Sequence, residues 1–135
     1  MAYGFDHDSH APILVLWWRG STSREDVTAC LDQLTAKFES WGSAGRVVFD
    51  FSEVGEFDSA MRRLLASWRA RNRVLIQDRV AAAGYVFSSL AARGYLTAVD
   101  WLRPTSGLNR RFFSTRAEAV EWLESQAAKR GPAHP

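Results

Sequence analysis

The segment Asp6-His7-Asp8-Ser9-His10 places two imidazoles and two carboxylates within a few residues, a set able to hold a divalent cation. No further ligand cluster completes a closed site, and His134 stands at the far end of the chain, so the segment reads as a surface turn. Cys30 is the single cysteine, which excludes an internal disulfide and fits a reducing compartment. It falls on an apolar stripe, where a thiol behaves as a small hydrophobe, not as a nucleophile. Gly42-Ser43-Ala44-Gly45 has the composition of a phosphate loop, yet it precedes a strand instead of opening a helix. Gly-x-Ser-x-Gly and His-Glu-x-x-His are both missing. The expectation is a protein without catalytic residues, metal or cofactor. Two features remain. Asp58 and Ser59 stand where a helix opens, and either hydroxyl or carboxylate can cap it. From Arg62 to Arg79, six arginines (62, 63, 69, 71, 73 and 79) face one acid, Asp78.

The elements that would position these residues follow from hydrophobic periodicity. Ile13 to Trp18 is a short, continuous apolar run, the mark of a strand covered on both faces. Ala2 to Phe5 can pair with it as a hairpin across residues 6–12. Thr22 and Glu25 form a capping box, and Val27, Cys30, Leu31, Leu34, Phe38 and Trp41 follow at helical spacing. Arg46 to Phe51 is a second strand of the alternating part and residues 52–58 are a loop. The next helix turns Met61, Leu64, Leu65, Trp68 and Leu75 inward and its arginines outward. Ala81 to Phe87 is an Ala-rich strand, and Ser88-Ser89 opens a helix reaching Leu102. After a turn at residues 103–107, Asn109 to Phe113 is the last strand. Thr115 and Glu118 cap the last helix, with Ala119, Val120, Leu123 and Ala127 on its inner side.

Strands alternating with helices imply an α/β fold with a mixed, largely parallel sheet under helical cover. The length suits one domain over residues 1–130, followed by a flexible tail at 131–135. A hydrophobic fraction of 47% with six Trp and eight Phe supplies a core without staples. No apolar run reaches the ~18 residues a membrane span needs. The first residues are acidic where a secretion signal is basic, so the expected location is cytoplasmic. The net charge of +2 excludes a polycationic protein. Adjacent residues of a strand point to opposite faces, so Trp17 and Trp18 are both core only if helices cover both faces.

The run Val47-Val48-Phe49-Asp50-Phe51-Ser52-Glu53-Val54-Gly55-Glu56-Phe57-Asp58-Ser59-Ala60-Met61 resembles the signature of STAS domains, the fold of bacterial anti-sigma-factor antagonists. Asp50, Ser52, Val54, Phe57, Asp58 and Ser59 fall in register with that pattern. Ala60-Met61 stands where the family has Ser-Gly, and Arg62 replaces an apolar residue. The segments Arg93 to Ala98 and Phe112 to Leu123 look more like a broader set of STAS-like, SEC14-related bacterial proteins. The resemblance implies a STAS-like (SpoIIAA-like) sheet of four to five strands with about four helices. It also implies that Ser59 matches the serine which a partner kinase phosphorylates in antagonists to switch binding off. A helix N-terminus suits a phosphate, because its unpaired N–H groups and dipole favour negative charge.

The leading expectation is therefore a regulatory, protein-binding module. Its surface would comprise Asp58, Ser59, Arg62, Arg63, Arg69 and Arg73, with Ser59 the candidate phosphorylation site and a kinase-type regulator among candidate partners. The plain alternatives are an N-cap and a solvated helix face. Nucleic acid is not an expected partner, since no aromatic platform interleaves with the arginines. Self-association stays open. The runner-up is a small SEC14-like binder of a lipid or other apolar ligand, suggested by the aromatic excess.

Overall fold

Strand β2 (Ile13–Gly20) lies inside the sheet, and its side chains are buried on both faces through most of its length. That is why its sequence is continuously apolar instead of alternating. The structure, a computed structural model, describes residues 2–8, 13–20, 23–42, 45–54, 59–87 and 109–130. Along the chain, β1 (Ala2–Asp8) and β2 precede α1 (Arg24–Glu39), β3 (Gly45–Val54), α2 (Ser59–Arg71) and α3 (Arg73–Arg79). Then come β4 (Val80–Val86), β5 (Asn109–Phe113) and α4 (Arg116–Arg130). The five strands stand in sequence order, β1-β2-β3-β4-β5. β1 is antiparallel to β2, and every later pair is parallel.

Sequential parallel strands joined by right-handed crossovers put their helices on one face. On this first face α1, α2 and α3 cover Leu14, Leu16, Trp18, Val47, Phe49, Phe51, Ala83, Tyr85 and Phe87. Aromatic rings run across it in contact: Trp18 stacks on Phe51 at 4.7 Å, and Phe49 on Tyr85 at 5.0 Å. Among the described helices α4 alone takes the second face. Ala119, Val120 and Leu123 pack there on Ile13, Val15, Val48, Ala82 and Val86.

Several boundaries differ from the sequence reading for local reasons. The cap of α1 is Ser23, whose hydroxyl accepts from Asp26 N–H at 3.1 Å and donates to the Asp26 carboxylate at 2.8 Å. The start lies one residue beyond the expected Thr22 because Ser23 and Asp26 hold the same spacing as Thr22 and Glu25. β1 runs on to Asp8, so the hairpin is longer than Ala2 to Phe5. β3 continues through Ser52, Glu53 and Val54, which the sequence reading assigned to a loop. The single arginine-rich helix is two helices broken at Asn72, whose side-chain amide donates to the Trp68 carbonyl at 2.9 Å. The Asn72 backbone N–H donates to the same carbonyl at 3.0 Å, so Asn72 ends α2 while closing its last turn. β5 and the Thr115–Glu118 cap of α4 stand as expected. The helix expected from Ser88 to Leu102, Asp58 and the tail lie outside the described residues.

Trp17 and Trp18 part company. Trp18 is fully buried on the first face, whereas Trp17 is half-buried on the second, flat over Gly4 of β1. A Cβ on Gly4 would stand 2.5 Å from the Trp17 indole, so any larger residue would force the ring to shift. The Arg19 guanidinium covers its other side, 4.6 Å from the ring centre.

Candidate partner-binding surface

Ser59 opens α2 and is exposed, two residues before Met61, which turns inward with Leu65 and Trp68. The first turn of α2 carries no acid, so its N–H groups and dipole end face no fixed negative charge from the helix's own side chains. Arg62 and Arg63 follow at three and four residues, the spacing at which side chains of a helix meet.

The arginines divide by exposure. Arg63, Arg71 and Arg73 are exposed, whereas Arg62, Arg69 and Arg79 are half-buried, so the outward-pointing set is smaller than the sequence suggests. Arg79 has a structural duty: its guanidinium donates to the Glu39 carbonyl at 3.0 Å and also to the Trp41 carbonyl. It thereby closes the C-terminal end of α1. Arg69 and Arg73 reach the rim of a cavity between the helices and the sheet. Of the expected site residues, Ser59, Arg62, Arg63, Arg69 and Arg73 thus share one helical layer, spread over about four turns.

The cavity is lined by Phe38, Phe49, Trp68, Ile76, Ala83 and Tyr85 among others, and measures about 20 Å³. Ala83 of β4 is the smallest residue of its lining. That volume accommodates about one water-sized sphere. Its walls are fixed, since Trp68 Nε1 donates to Thr35 Oγ1 at 2.8 Å and that hydroxyl donates to the Leu31 carbonyl. As it stands, the cavity has no room for a lipid chain.

Within β3 and at the start of α4 sits a polar cluster that the sequence reading missed. Asp50 is buried near the end of β3. Its Oδ1 accepts from Ser52 N–H at 3.0 Å and from Ser52 Oγ at 2.6 Å. Its Oδ2 accepts from Arg116 Nε at 3.0 Å, and Arg116 Nη1 also reaches Asp6 Oδ2 at 3.2 Å. Burial alone would lower the Arg116 pKa, but the bonds and charges of Asp50 and Asp6 outweigh it and raise it. A cation at the N-terminus of α4 is misplaced for the helix dipole, so the carboxylates hold it there. The available signal was a lone Asp in an apolar strand, which must find a partner when buried.

Asp6 is therefore spent on Arg116 in this arrangement, and no group of three or more metal-ligating side chains occurs among the described residues. Burial pushes the Cys30 thiol up to about 12, offset only in part by the Trp18 indole. Such a thiol stays protonated and unreactive. Among the described residues no helix is long and apolar enough to cross a membrane.

The fold has counterparts of known structure. An uncharacterized protein of the DUF3478 family with a SpoIIAA-like fold, from Shewanella loihica PV-4, superimposes with a TM-score of 0.64. The match covers 90% of this chain and 92% of that one at 14% identity. An anti-sigma factor antagonist from Mycobacterium paratuberculosis gives a TM-score of 0.60 at 19% identity, over 91% and 95% of the two chains. The fold is STAS-like. No family model and no curated protein matches the sequence. The STAS-like, SpoIIAA-like architecture thus accommodates an arginine-rich α2, a broken α2–α3 pair and an Asp50–Arg116 ion pair in this chain.

Proposed function

We propose that this domain is a non-catalytic regulatory module that binds a protein partner around the start of α2. Asp58, Ser59, Arg62, Arg63, Arg69 and Arg73 form the partner surface, and phosphorylation of Ser59 by a partner kinase switches it. The observation that carries the reading is an exposed serine in the first turn of a helix that has no acid in that turn and two arginines at the next turn. A phosphate on Ser59 would add a charge of about −1.5 to −2 at that helix end. It would be stabilised by the dipole and would draw the arginine side chains toward itself. A partner that uses those arginines then loses them. The fold shared with an anti-sigma factor antagonist supports a binding role over catalysis, and so does the unreactive Cys30.

The test is capture of partners from a lysate of the source organism with wild type, Ser59→Ala and Ser59→Asp as baits. A protein held by wild type and Ser59→Ala but lost with Ser59→Asp is the expected result. Equal recovery by all three baits, each shown to be folded, leaves Ser59 a helix-opening residue only.

A further inference from the structure

The outward faces of α1 and α2 carry opposite charges in matching patterns. On α1 the exposed positions Glu25, Ala29, Asp32, Ala36 and Glu39 recur at steps of four and three residues, alternating acid with alanine. On α2 and the start of α3 the exposed stripe is Arg63, Ser67, Ala70, Arg71 and Val74. Val74 is the exposed large hydrophobic residue among those described, 68% accessible. None of Glu25, Asp32, Glu39, Arg63 and Arg71 forms an ion pair with a described residue. From Ser59 to Arg79 the local charge is +5 in a chain whose net charge is +2, so the remainder is acidic. The two helices pack side by side, and both return the chain between parallel strands, so they run in the same direction.

We infer that a second copy of this chain docks on this surface, with α1 of each copy lying over α2 of the other about a two-fold axis along the helices. Charge selects the axis. A two-fold along the helices sets acidic α1 on basic α2 twice over, whereas a two-fold across them would set like on like. Height is preserved by the first operation, so register can be read within one copy. The bond from Trp68 Nε1 to Thr35 Oγ1 brings residues 68 and 35 to within about one helical turn of the same height. Arg63 of one copy then faces Asp32 of the other, and Arg71 faces Glu39, each within about one turn along the axis. Both gaps lie within the reach of an arginine side chain. Ala29, Ala36, Ser67 and Ala70 leave the helix backbones free to approach, and Val74 gains cover at the end of the stripe.

Exposed ion pairs are individually weak and screened by salt, so the dimer is weak and salt-sensitive. The inference goes beyond the partner-binding reading. Arg63 takes part in both surfaces, so dimer and partner complex exclude one another. A failed dimer leaves the Ser59 capture experiment untouched.

Analytical ultracentrifugation at up to about 200 µM protein, in about 50 mM and about 500 mM salt, tests it. The expected result is a weight-average mass rising from the 15.2 kDa of the monomer toward twice that at low salt, and returning at high salt. Arg63→Glu/Arg71→Glu and Asp32→Lys/Glu39→Lys, each folded by circular dichroism, are expected to be monomeric alone. An equimolar mixture of the two variants is expected to regain the dimer, since every reversed contact then meets its opposite. A wild type that is monomeric in both salts overturns the inference. So does a dimer that survives either double variant, or a mixture that stays monomeric.

Discussion

Replacing Arg116 with glutamine removes the cation that serves the buried Asp50 carboxylate. Breaking a buried ion pair from one side costs about 3–5 kcal/mol where no other partner remains. Two features reduce that here: the Arg116 side chain is 31% exposed, and Asp50 keeps both bonds from Ser52. Removing a cation from the N-terminus of α4 also returns a few tenths of a kcal/mol from the helix dipole. The expected loss is about 2 kcal/mol, or a fall in Tm of roughly 6–8 °C for a domain of this size. Asp6 is the internal control. Its carboxylate touches the same guanidinium but is 51% exposed, so Asp6→Asn should cost no more than about 0.5 kcal/mol. Urea denaturation of wild type, both single variants and Asp50→Asn/Arg116→Gln reads these values. Their midpoints should shift at unchanged slope. If Arg116→Gln falls within about 0.5 kcal/mol of wild type, or costs no more than Asp6→Asn, the assignment of this ion pair as a structural clamp is wrong.

Cys30 and Gly45 give two further tests. The folded Cys30 pKa of about 12 lies above its ordinary value of 9.0, so the unfolded chain loses that proton first as pH rises. Its contribution is intact below about pH 9 and declines toward pH 12, with a slope of at most about 1.4 kcal/mol per pH unit. Urea titrations at increasing pH should show Cys30→Ala lacking that component, and a thiol reagent should label the native protein only as fast as it opens. At Gly45 a Cβ would meet the Trp41 ring and stand 2.6 Å from the Arg79 carbonyl. Gly45→Ala should therefore destabilise by about 1–3 kcal/mol, read as a lower urea midpoint. An unchanged midpoint would mean that the end of α1 and the start of β3 do not meet as described.

The sheet was legible because burial wrote it into the sequence. Ile13 to Trp18 has to be covered on both faces, and Val27, Cys30, Leu31, Leu34 and Phe38 can share a surface only on a helix. The break at Asn72 was not legible, because a single Asn is tolerated inside a helix and no Gly or Pro marks the turn there. Nor was the extension of β3 to Val54. Ser52 and Glu53 look like loop residues, yet Ser52 is held by Asp50 and Glu53 pairs with Arg19 of β2 at 2.7 Å. At the candidate surface, composition gave the number of arginines but not their division. Whether Arg69 lines a cavity or Arg79 closes a helix depends on what stands opposite, and that is a tertiary fact. The Asp50–Arg116–Asp6 cluster joins residues separated by 66 and 110 positions, a distance over which no local pattern speaks.

Those long separations also bear on how the chain assembles. The β2–α1–β3–α2–β4 portion joins near neighbours in sequence, whereas α4 contacts strands from the first half of the chain. Closing contacts across such spans adds entropy cost late on the pathway. In the folded chain α4 is held by Ala119, Val120, Leu123 and the Arg116 clamp. Its transient release would bare Ile13, Val15, Val48 and Val86 in one contiguous patch, a sticky intermediate of the kind that seeds aggregation. Were α4 to open on its own, the Arg116 clamp would also set how seldom that patch meets another chain.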